Sequence, residues 1–359
     1  MSGGRTLETM QHRRLIRWLP AVVAPVVVAG AVAVPLVAAA TPPDLPAKSA
    51  QQVLELAAKA KDVRGFSGVV EQRSDLGLPS VPSIGAGSDS ETAATLDLLS
   101  GTRTARVEVA GASRARIAVL DDSAERDVVR NGRSVWLWDS KKNTAAHVLA
   151  SGGARPGAAQ GALPTPAEAA QELLAKVDDS TRVSVDTAQQ IADRDAYTLV
   201  LTPRTAQTTI GSIRIAVDAE TGLPLDVQVV ARGASSPAFE TGFTSISYAV
   251  PDASRFDFTP PSDAKVTTKT ITPGDLPEHR APASGARPAV SGSGWASVVT
   301  VPADVVPSGL GSDATVQRLT TAVNGGRVLR TALVNVLLTD DGRVLAGAVP
   351  VSRLESAAR

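Results

Sequence analysis

The residue types that most often carry out catalysis are few in this chain and are not spaced for it. Its 359 residues include no cysteine and three histidines, His12, His147 and His279. Without cysteine, thiol catalysis, disulfide frameworks and acylation of a cysteine are excluded, and no two histidines have metal-ligand spacing. Paired acids such as Asp121-Asp122 fall at predicted turns, and no G-x-S-x-G, P-loop or G-x-G-x-x-G motif occurs. The sequence therefore predicts a protein that is not an enzyme and that uses no metal and no cofactor.

The charges of the chain balance, with 36 basic and 36 acidic residues. This balance excludes a polybasic nucleic-acid arm, so no nucleic acid is expected as a partner. Several arginines nevertheless lie on successive predicted strands, with acidic residues near them. They form either a solvated face of cross-strand ion pairs or a site for lipid headgroups or a partner. These arginines are Arg106, Arg114, Arg116, Arg126 and Arg130.

Apolar side chains are the residues best suited to binding a ligand in this sequence. A groove lined by them would suit an acyl chain, because each buried methylene contributes about 0.8 kcal/mol. The alternative is that the protein's own helices fill the groove and the same side chains form its core. The candidates for the lining of this groove are Phe66, Leu96, Leu99, Trp136, Trp138, Leu199, Leu201, Ile213, Ile215, Phe239 and Phe243.

The pattern that must position these side chains is mainly β, with a few helices (α+β). Ser49 and Thr165 each begin a predicted helix, because Gln or Glu follows three residues later as in a capping box. Runs with period two, such as Ser134–Asp139, are separated by turns such as Asn131-Gly132 and predict an antiparallel meander. About ten such strands should curl, so we expect helices on the concave face of a curled sheet. A short helix is predicted over Glu91–Leu99, and its leucines form either a flap on the groove or a local turn packed on the surface.

The N-terminal segment has the pattern of an export signal. Residues 1–18 hold four arginines and one acidic residue, and residues 19–40 carry no charge. A positive flank before an apolar stretch directs the following chain across the cytoplasmic membrane. Two interpretations remain: residues 1–40 are a cleaved signal peptide, or residues 19–40 are retained as a membrane anchor. Both place residues 41–359 outside the cytoplasmic membrane.

The exported part is expected to be a monomer with two folded regions. Residues 41–267 form the large curled sheet. Residues 268–294 are rich in Pro, Gly, Ser and Ala and are predicted to be a linker. Residues 295–359 form a small module, with a strand predicted over Trp295–Val301, a helix over Asp313–Val323 and a β-hairpin after it. This module either folds separately, docks on the main domain or adds strands to its sheet.

Three segments resemble the LolA-like lipoprotein carriers and the N-terminal domain of the RseB/MucB regulators. They are Arg130–Asp139, Ile213–Leu225 and Phe256–Pro261. The resemblance extends over roughly Leu45 to Val266 and is most similar to an actinobacterial branch of exported proteins. It implies an incomplete antiparallel β-barrel with helices inside it as a lid. The chain departs from the membrane-receptor member of that family, which is a lipoprotein, because it has no cysteine.

The resemblance also implies two functions of different classes. The first is a carrier that shields the acyl chains of a lipid or an acylated lipoprotein, and it predicts that lipid co-purifies with the protein. The second is an RseB-like regulatory sensor, which binds a lipidic signal and a membrane protein such as an anti-sigma factor. It predicts that deletion of residues 295–359 removes the partner.

Overall fold

The chain folds into a twelve-stranded sheet and a six-stranded sheet. The computed structural model describes residues 42–78, 101–121, 124–151, 165–175, 177–271, 288–306 and 309–359. The strands of the large sheet are β1 (Gly65–Ser74), β2 (Gly101–Ala110), β3 (Arg114–Asp121), β4 (Ala124–Asn131), β5 (Ser134–Asp139), β6 (Thr144–Ala150), β7 (Thr181–Ile191), β8 (Arg194–Pro203), β9 (Ile210–Asp218), β10 (Pro224–Ala231), β11 (Pro237–Ser247) and β12 (Lys265–Ile271). Their spatial order is β12-β6-β5-β4-β3-β2-β1-β11-β10-β9-β8-β7.

Two helices cover one face of this sheet, as the predicted fold class requires. They are α1 (Ala50–Ala58) and α2 (Pro166–Leu174), and each begins with a complete capping box, at Ser49 and Thr165 respectively. Helix α1 packs on β7, β8 and β9, and α2 packs on β10 and β11. A capping box satisfies two backbone groups at the helix start, which explains why such short helices begin where the sequence predicts.

The sheet curls toward the helices and does not close into a barrel. Strands β7 and β11 come into contact although three strands lie between them in the sheet. Val183 and Val185 of β7 and Phe239 of β11 pack on the same core as Val53 of α1. The face that carries these side chains is therefore the concave one, which we call the inner face.

The other face, called the outer face, is crossed by the chain between β11 and β12. Within this connection Phe256 is buried, and Arg255 binds Glu108 of β2 through two of its nitrogens, at 2.9 and 2.7 Å. After this crossing β12 pairs in parallel with β6, whereas the other neighbouring strands of the sheet pair antiparallel.

The six-stranded sheet belongs to the C-terminal module. Its strands are β13 (Ala289–Ser291), β14 (Val298–Val301), β15 (Thr321–Val323), β16 (Gly326–Arg330), β17 (Asn335–Thr339) and β18 (Val344–Gly347), with helices α3 (Ala314–Leu319) and α4 (Val351–Ala358). Helix α4 packs on β17 and β18 and buries Leu354 against Leu337 and Leu345. This module has its own core.

The module docks on the large sheet through specific hydrogen bonds. The backbone N–H of Thr209 donates to the carbonyl of Ala348 at 3.0 Å, and that of Ala332 donates to Leu76 at 2.8 Å. The indole of Trp295 donates to Thr181 Oγ1 at 2.8 Å. Residues 42–359 accordingly form one compact unit.

Some sequence predictions differ from the structure in detail. Trp295 lies in a 3₁₀ turn rather than in a strand, and the helix predicted over Asp313–Val323 ends at Leu319, where β15 follows. Helix α4 was not predicted. The predicted linker, residues 268–294, contains part of strand β12 and all of strand β13. The predicted helix, Glu91–Leu99, lies outside the described residues.

Candidate functional site

Four of the predicted groove residues are core under the helices. Leu199 and Leu201 of β8 and Ile213 and Ile215 of β9 have exposed fractions of 0, 1, 2 and 0% respectively. They pack with Val53 of α1 in one apolar cluster. In this half of the sheet the protein's own helices therefore fill the inner face, as the alternative interpretation of the sequence requires.

The predicted phenylalanines also lie on the inner face, next to this core. Phe66 and Phe243 meet edge to face with ring centroids 5.8 Å apart, and both are buried. Phe239 is half-buried and packs against the helix-covered core. These three rings lie at the border between the helix-covered half of the sheet and the half formed by β2–β6.

The two predicted tryptophans lie on the opposite, outer face. Trp136 is directly opposite Val129, Val129 is opposite Arg116, and Arg116 is opposite Glu108, so these side chains share a face. Phe66 belongs to the other face, since it is opposite Val109, the neighbour of Glu108. The structure thus does not bring Trp136 and Trp138 together with the other candidates.

These tryptophans form an aromatic cluster with the connection that crosses the outer face. Trp136 stacks on His147 with ring centroids 4.0 Å apart, and Phe258 lies 5.6 Å from Trp136 and 6.2 Å from Trp138. His147 Nε2 lies 2.8 Å from Ser134 Oγ. The histidine is thus held by stacking and a hydrogen bond, which is a packing role.

The inner face of β3–β6 carries aliphatic side chains that the sequence analysis did not select. Ile117, Val128, Leu137 and Ala146 stand opposite one another across the four strands, and Val148 lies beside them. All five are half-buried. Of the described helices, α1 and α2 make their main contacts with β7–β11 instead. We call this surface, Ile117, Val128, Leu137, Ala146 and Val148, the open inner face.

A sequence signal for the open inner face did exist. Val135 and Leu137 alternate with Trp136 and Trp138, so one of these pairs had to face the concave side. The large aromatic pair was selected. Which of the two pairs faces the concave side depends on how each strand from β5 to β1 is paired with its neighbour. Alternation within a single strand does not reveal that pairing.

The structure divides the arginines of the meander between the two faces. On the outer face, Arg116 pairs with Asp127, and Arg114 lies over the ring of Phe256 at 5.7 Å from its centroid. Burial raises the pKa of Asp127, while the Arg116 guanidinium acts against this rise. Arg126 and Arg130, in contrast, belong to the inner face, because they stand opposite Val119 and Ala115.

The segment Ile213–Leu225, which carries part of the family resemblance, has a structural role. Asp218 is fully buried and accepts from Arg194 Nε at 2.8 Å and from the backbone N–H of Thr221 at 2.7 Å. Burial acts to raise the pKa of Asp218, but the hydrogen bonds from Arg194 and Thr221 outweigh it and lower this pKa. Gly222 completes the turn with φ 77° and contacts Leu56 of α1. The motif therefore fixes a turn and seats α1.

A second buried carboxylate lies on the outer face, where Asp226 of β10 is 3% exposed. Its Oδ1 has no hydrogen-bond partner among the described residues. Burial first, and repulsion from Glu240 second, raise the pKa of Asp226 to about 7, against a smaller opposing effect of Gln228. Ionisation of this buried carboxylate therefore destabilises the folded state.

Two cavities lie elsewhere on the surface, and charged side chains are among the residues that line each of them. One of about 510 Å³ lies beside the turn between β7 and β8 and is lined by Gln190, Asp193, Arg194 and Glu220 among others. One of about 310 Å³ lies in the C-terminal module between Arg343 and Glu355. Within the described ranges, no three His, Asp or Glu side chains lie together as a metal ion would require. No helix in the described part of the chain is both long and apolar enough to cross a membrane.

Comparison with known proteins finds matches of low identity among solved structures. No protein-family model and no curated protein matches the sequence. The MucA/MucB complex of Pseudomonas aeruginosa contains a chain that is 19% identical, with a TM-score of 0.43, over 86% of this chain and 96% of that one. A LolA superfamily protein of Nitrosomonas europaea is 14% identical, with a TM-score of 0.22, over 59% and 99%. A putative outer membrane lipoprotein-sorting protein domain of Vibrio parahaemolyticus is 11% identical, with a TM-score of 0.24, over 58% and 97%.

Proposed function

We propose that the chain is an extracytoplasmic binding protein that shields an acyl chain of a lipid or lipoprotein on the open inner face. The observation that carries this proposal is the row of half-buried aliphatic side chains from Ile117 to Ala146 on the concave side of the sheet. An apolar concave surface of this kind favours an apolar ligand because contact removes both surfaces from water.

The length of this row suits an acyl chain. Four neighbouring strands at about 4.8 Å spacing extend over about 14 Å, which is long enough for roughly eleven methylenes at about 1.25 Å each. At about 0.8 kcal/mol for each buried methylene, such a chain gains several kcal/mol after the cost of ordering it. The N-terminal residues 1–40 support the location, since their charge pattern is that of an export signal.

The first test uses a polar substitution in the centre of the open inner face. We expect Leu137→Asn to weaken binding of an acyl chain about tenfold or more, because it removes apolar contact and places an amide against the ligand. Native mass spectrometry of the full chain, incubated with a diacylated peptide, measures the bound fraction.

The matched control is Leu120→Asn, because Leu120 lies on the outer face of β3 and is 41% exposed. This variant is expected to bind like the unchanged protein. The carrier proposal would be abandoned if the unchanged protein bound no lipid and no acylated peptide at any ligand concentration below micelle formation.

A second candidate function, regulation through a membrane protein, is favoured by the face of the six-stranded sheet that lies opposite α4. The face that points away from α4 carries a row of aliphatic residues opposite one another, and it begins with Val290 and Val299, which are 65% and 38% exposed. The remaining members of this row are Ala346, Val336 and Leu329. An apolar face of this kind is typical of an interaction surface.

The regulator function predicts a contact that depends on this face. A photoreactive residue at position 290 of the full chain is expected to cross-link to one membrane protein in the producing cells. Val299→Asp should abolish that cross-link, because it places a charge within the apolar row, directly opposite position 290. Val305→Asp is the control, since Val305 is also exposed, at 40%, but lies outside the sheet. A cross-link that survives Val299→Asp would exclude this surface as the contact.

A further inference from the structure

We infer that the edge of β12 that points away from β6, called the terminal edge, is a docking site for an extended acidic segment of another polypeptide. The segment adds to the large sheet as a further strand. This inference goes beyond the proposed function, because it concerns a polypeptide partner of the sheet edge and not the ligand of the open inner face. It is carried by the backbone, the exposure and the charges of β12.

The backbone of β12 presents hydrogen-bonding groups at the terminal edge. Strand β12 stands first in the order of the large sheet, so among the described strands it pairs with β6 alone. Lys265 donates its backbone N–H to the carbonyl of Asn143 at 3.0 Å, and the carbonyl of Ile271 accepts from the N–H of Ser151 at 2.8 Å. Successive residues of a strand direct their backbone groups alternately to its two sides. The residues that direct their N–H and C=O groups to the terminal edge are therefore Val266, Thr268 and Thr270.

Strand β12 lacks most of the features that protect an edge strand from pairing with another chain. Such features include prolines, bulges, a very short strand and cover by other elements. Strand β12 has no proline, keeps one register with β6 over seven residues, and is exposed at six of these seven positions. At the opposite edge of the sheet, the register of β7 with β8 is interrupted between Asp186 and Gln189, and the indole of Trp295 donates to Thr181 at its start. The terminal edge is thus long, continuous and accessible.

The charges of β12 are of one sign and lie on one face. Lys265 and Lys269 are four residues apart in the strand, so they share a face, and β12 has no acidic residue. Neither lysine side chain has a hydrogen-bond or ion-pair partner among the described residues. Lysines on an edge strand repel a second copy of the same strand and any basic segment. They attract an acidic one, so their charge selects the partner instead of closing the edge to every chain.

The partner that fits the terminal edge is an extended segment with two acidic residues four positions apart. Both acidic residues then face the two lysines, since residues opposite each other on paired strands are about 5 Å apart. The other face of the segment lies beside Val266, which is 45% exposed, so β-branched residues suit it. In strand addition the main-chain hydrogen bonds supply affinity, and alternate side chains supply selection.

The experiment compares two short, end-capped peptides of threonine and valine, which carry two glutamates four positions apart in one case and two lysines in the other. We expect the full chain at low ionic strength to bind the glutamate peptide about tenfold more tightly, because two attractive cross-strand pairs replace two repulsive ones. Fluorescence anisotropy of the labelled peptides measures both affinities. The double variant Lys265→Glu/Lys269→Glu should reverse the preference. The control, Lys59→Glu/Lys61→Glu, makes the same change of charge at two exposed positions after α1 and should keep it.

Hydrogen exchange distinguishes strand addition from attraction between charges alone. At saturation the glutamate peptide should slow exchange at the amides of Val266, Thr268 and Thr270 about tenfold or more, because these N–H groups then donate to the peptide. Unchanged exchange at these three amides would overturn the inference even if the peptide binds. Binding of neither peptide, equal binding of both, or a preference that survives Lys265→Glu/Lys269→Glu would overturn it as well. Each of these results leaves the carrier function in place, since that function rests on the open inner face.

Discussion

Replacing Asp226 by asparagine is expected to stabilise the protein at pH 8 and to change its stability little at pH 4. The pKa of Asp226 is raised to about 7 in the folded protein, mainly by burial. In the unfolded chain the pKa of an aspartate is about 3.9. The folded state therefore binds the proton more tightly than the unfolded state does. The free energy of unfolding thus falls as the pH rises from about 4 to about 7. Above that range Asp226 is ionised in the folded protein, and its full destabilising effect is present.

The size of the effect follows from the difference between the two pKa values. About three pKa units correspond to about 4 kcal/mol in the limit of complete ionisation in the folded state, and a net gain of about 2 to 4 kcal/mol is expected for the variant. Of the groups that face Asp226, Gln228 offsets only a small part of this cost. On its own face, Glu240 repels it, and Gly242 directly opposite brings no side chain. Arg214, on the neighbouring strand β9, is directed to Asp186 instead.

Urea unfolding at pH 4, 6 and 8 measures this prediction, and two further variants sharpen it. Glu240→Gln should lower the pKa of Asp226 and give part of the gain at pH 8, because it removes the repulsion. Asp304→Asn changes an exposed acid in the C-terminal module and should have the same small effect at all three pH values. A gain for Asp226→Asn that is equal at pH 4 and pH 8 would contradict a raised pKa of Asp226.

Gly222→Ala is expected to destabilise the protein by about 3 kcal/mol or more. Gly222 has φ 77°, a conformation that costs about 1 kcal/mol for a residue with a Cβ. A Cβ at this position would also lie 2.0 Å from the carbonyl oxygen of Leu56 in α1. Since that oxygen belongs to the helix backbone, α1 must move away from the sheet, and packing around Val53 is lost with it.

Gly233→Ala is a matched control for this prediction, because it separates the two causes. Gly233 has φ 81°, and a Cβ there would meet no atom within 4 Å. It should cost about 1 kcal/mol, the price of the backbone conformation alone. Urea unfolding at one pH measures both variants, and equal losses in the two would mean that the approach of Leu56 contributes nothing.

The individual strands were predictable because their pattern is local. The strand Ser134–Asp139 was predicted with the same bounds, and the capping boxes at Ser49 and Thr165 placed both covering helices. Alternation of side chains and capping are properties of a few consecutive residues, so the sequence contains them directly.

The face of each strand was less predictable because it depends on register between distant segments. Trp136 was chosen for the groove although it lies on the outer face, and Leu137 was passed over although it lies on the inner one. Leu199 does lie on the inner face, but α1 covers it. The amphipathic pattern of a strand does not distinguish a groove filled by the protein's own helices from an open one. Strand β12 is exposed along most of its length and therefore has no apolar alternation to reveal it.

The parallel pairing of β12 with β6 has a consequence for the order of folding. Ser151 at the end of β6 donates its backbone N–H to Ile271, which lies 120 residues later in the chain. Until that late segment has been made and has crossed the outer face, β6 is an uncovered edge strand with free hydrogen-bonding groups. Because such a distant contact closes slowly, the chain depends on β12, at the end of the main domain, to protect β6 from pairing with other chains.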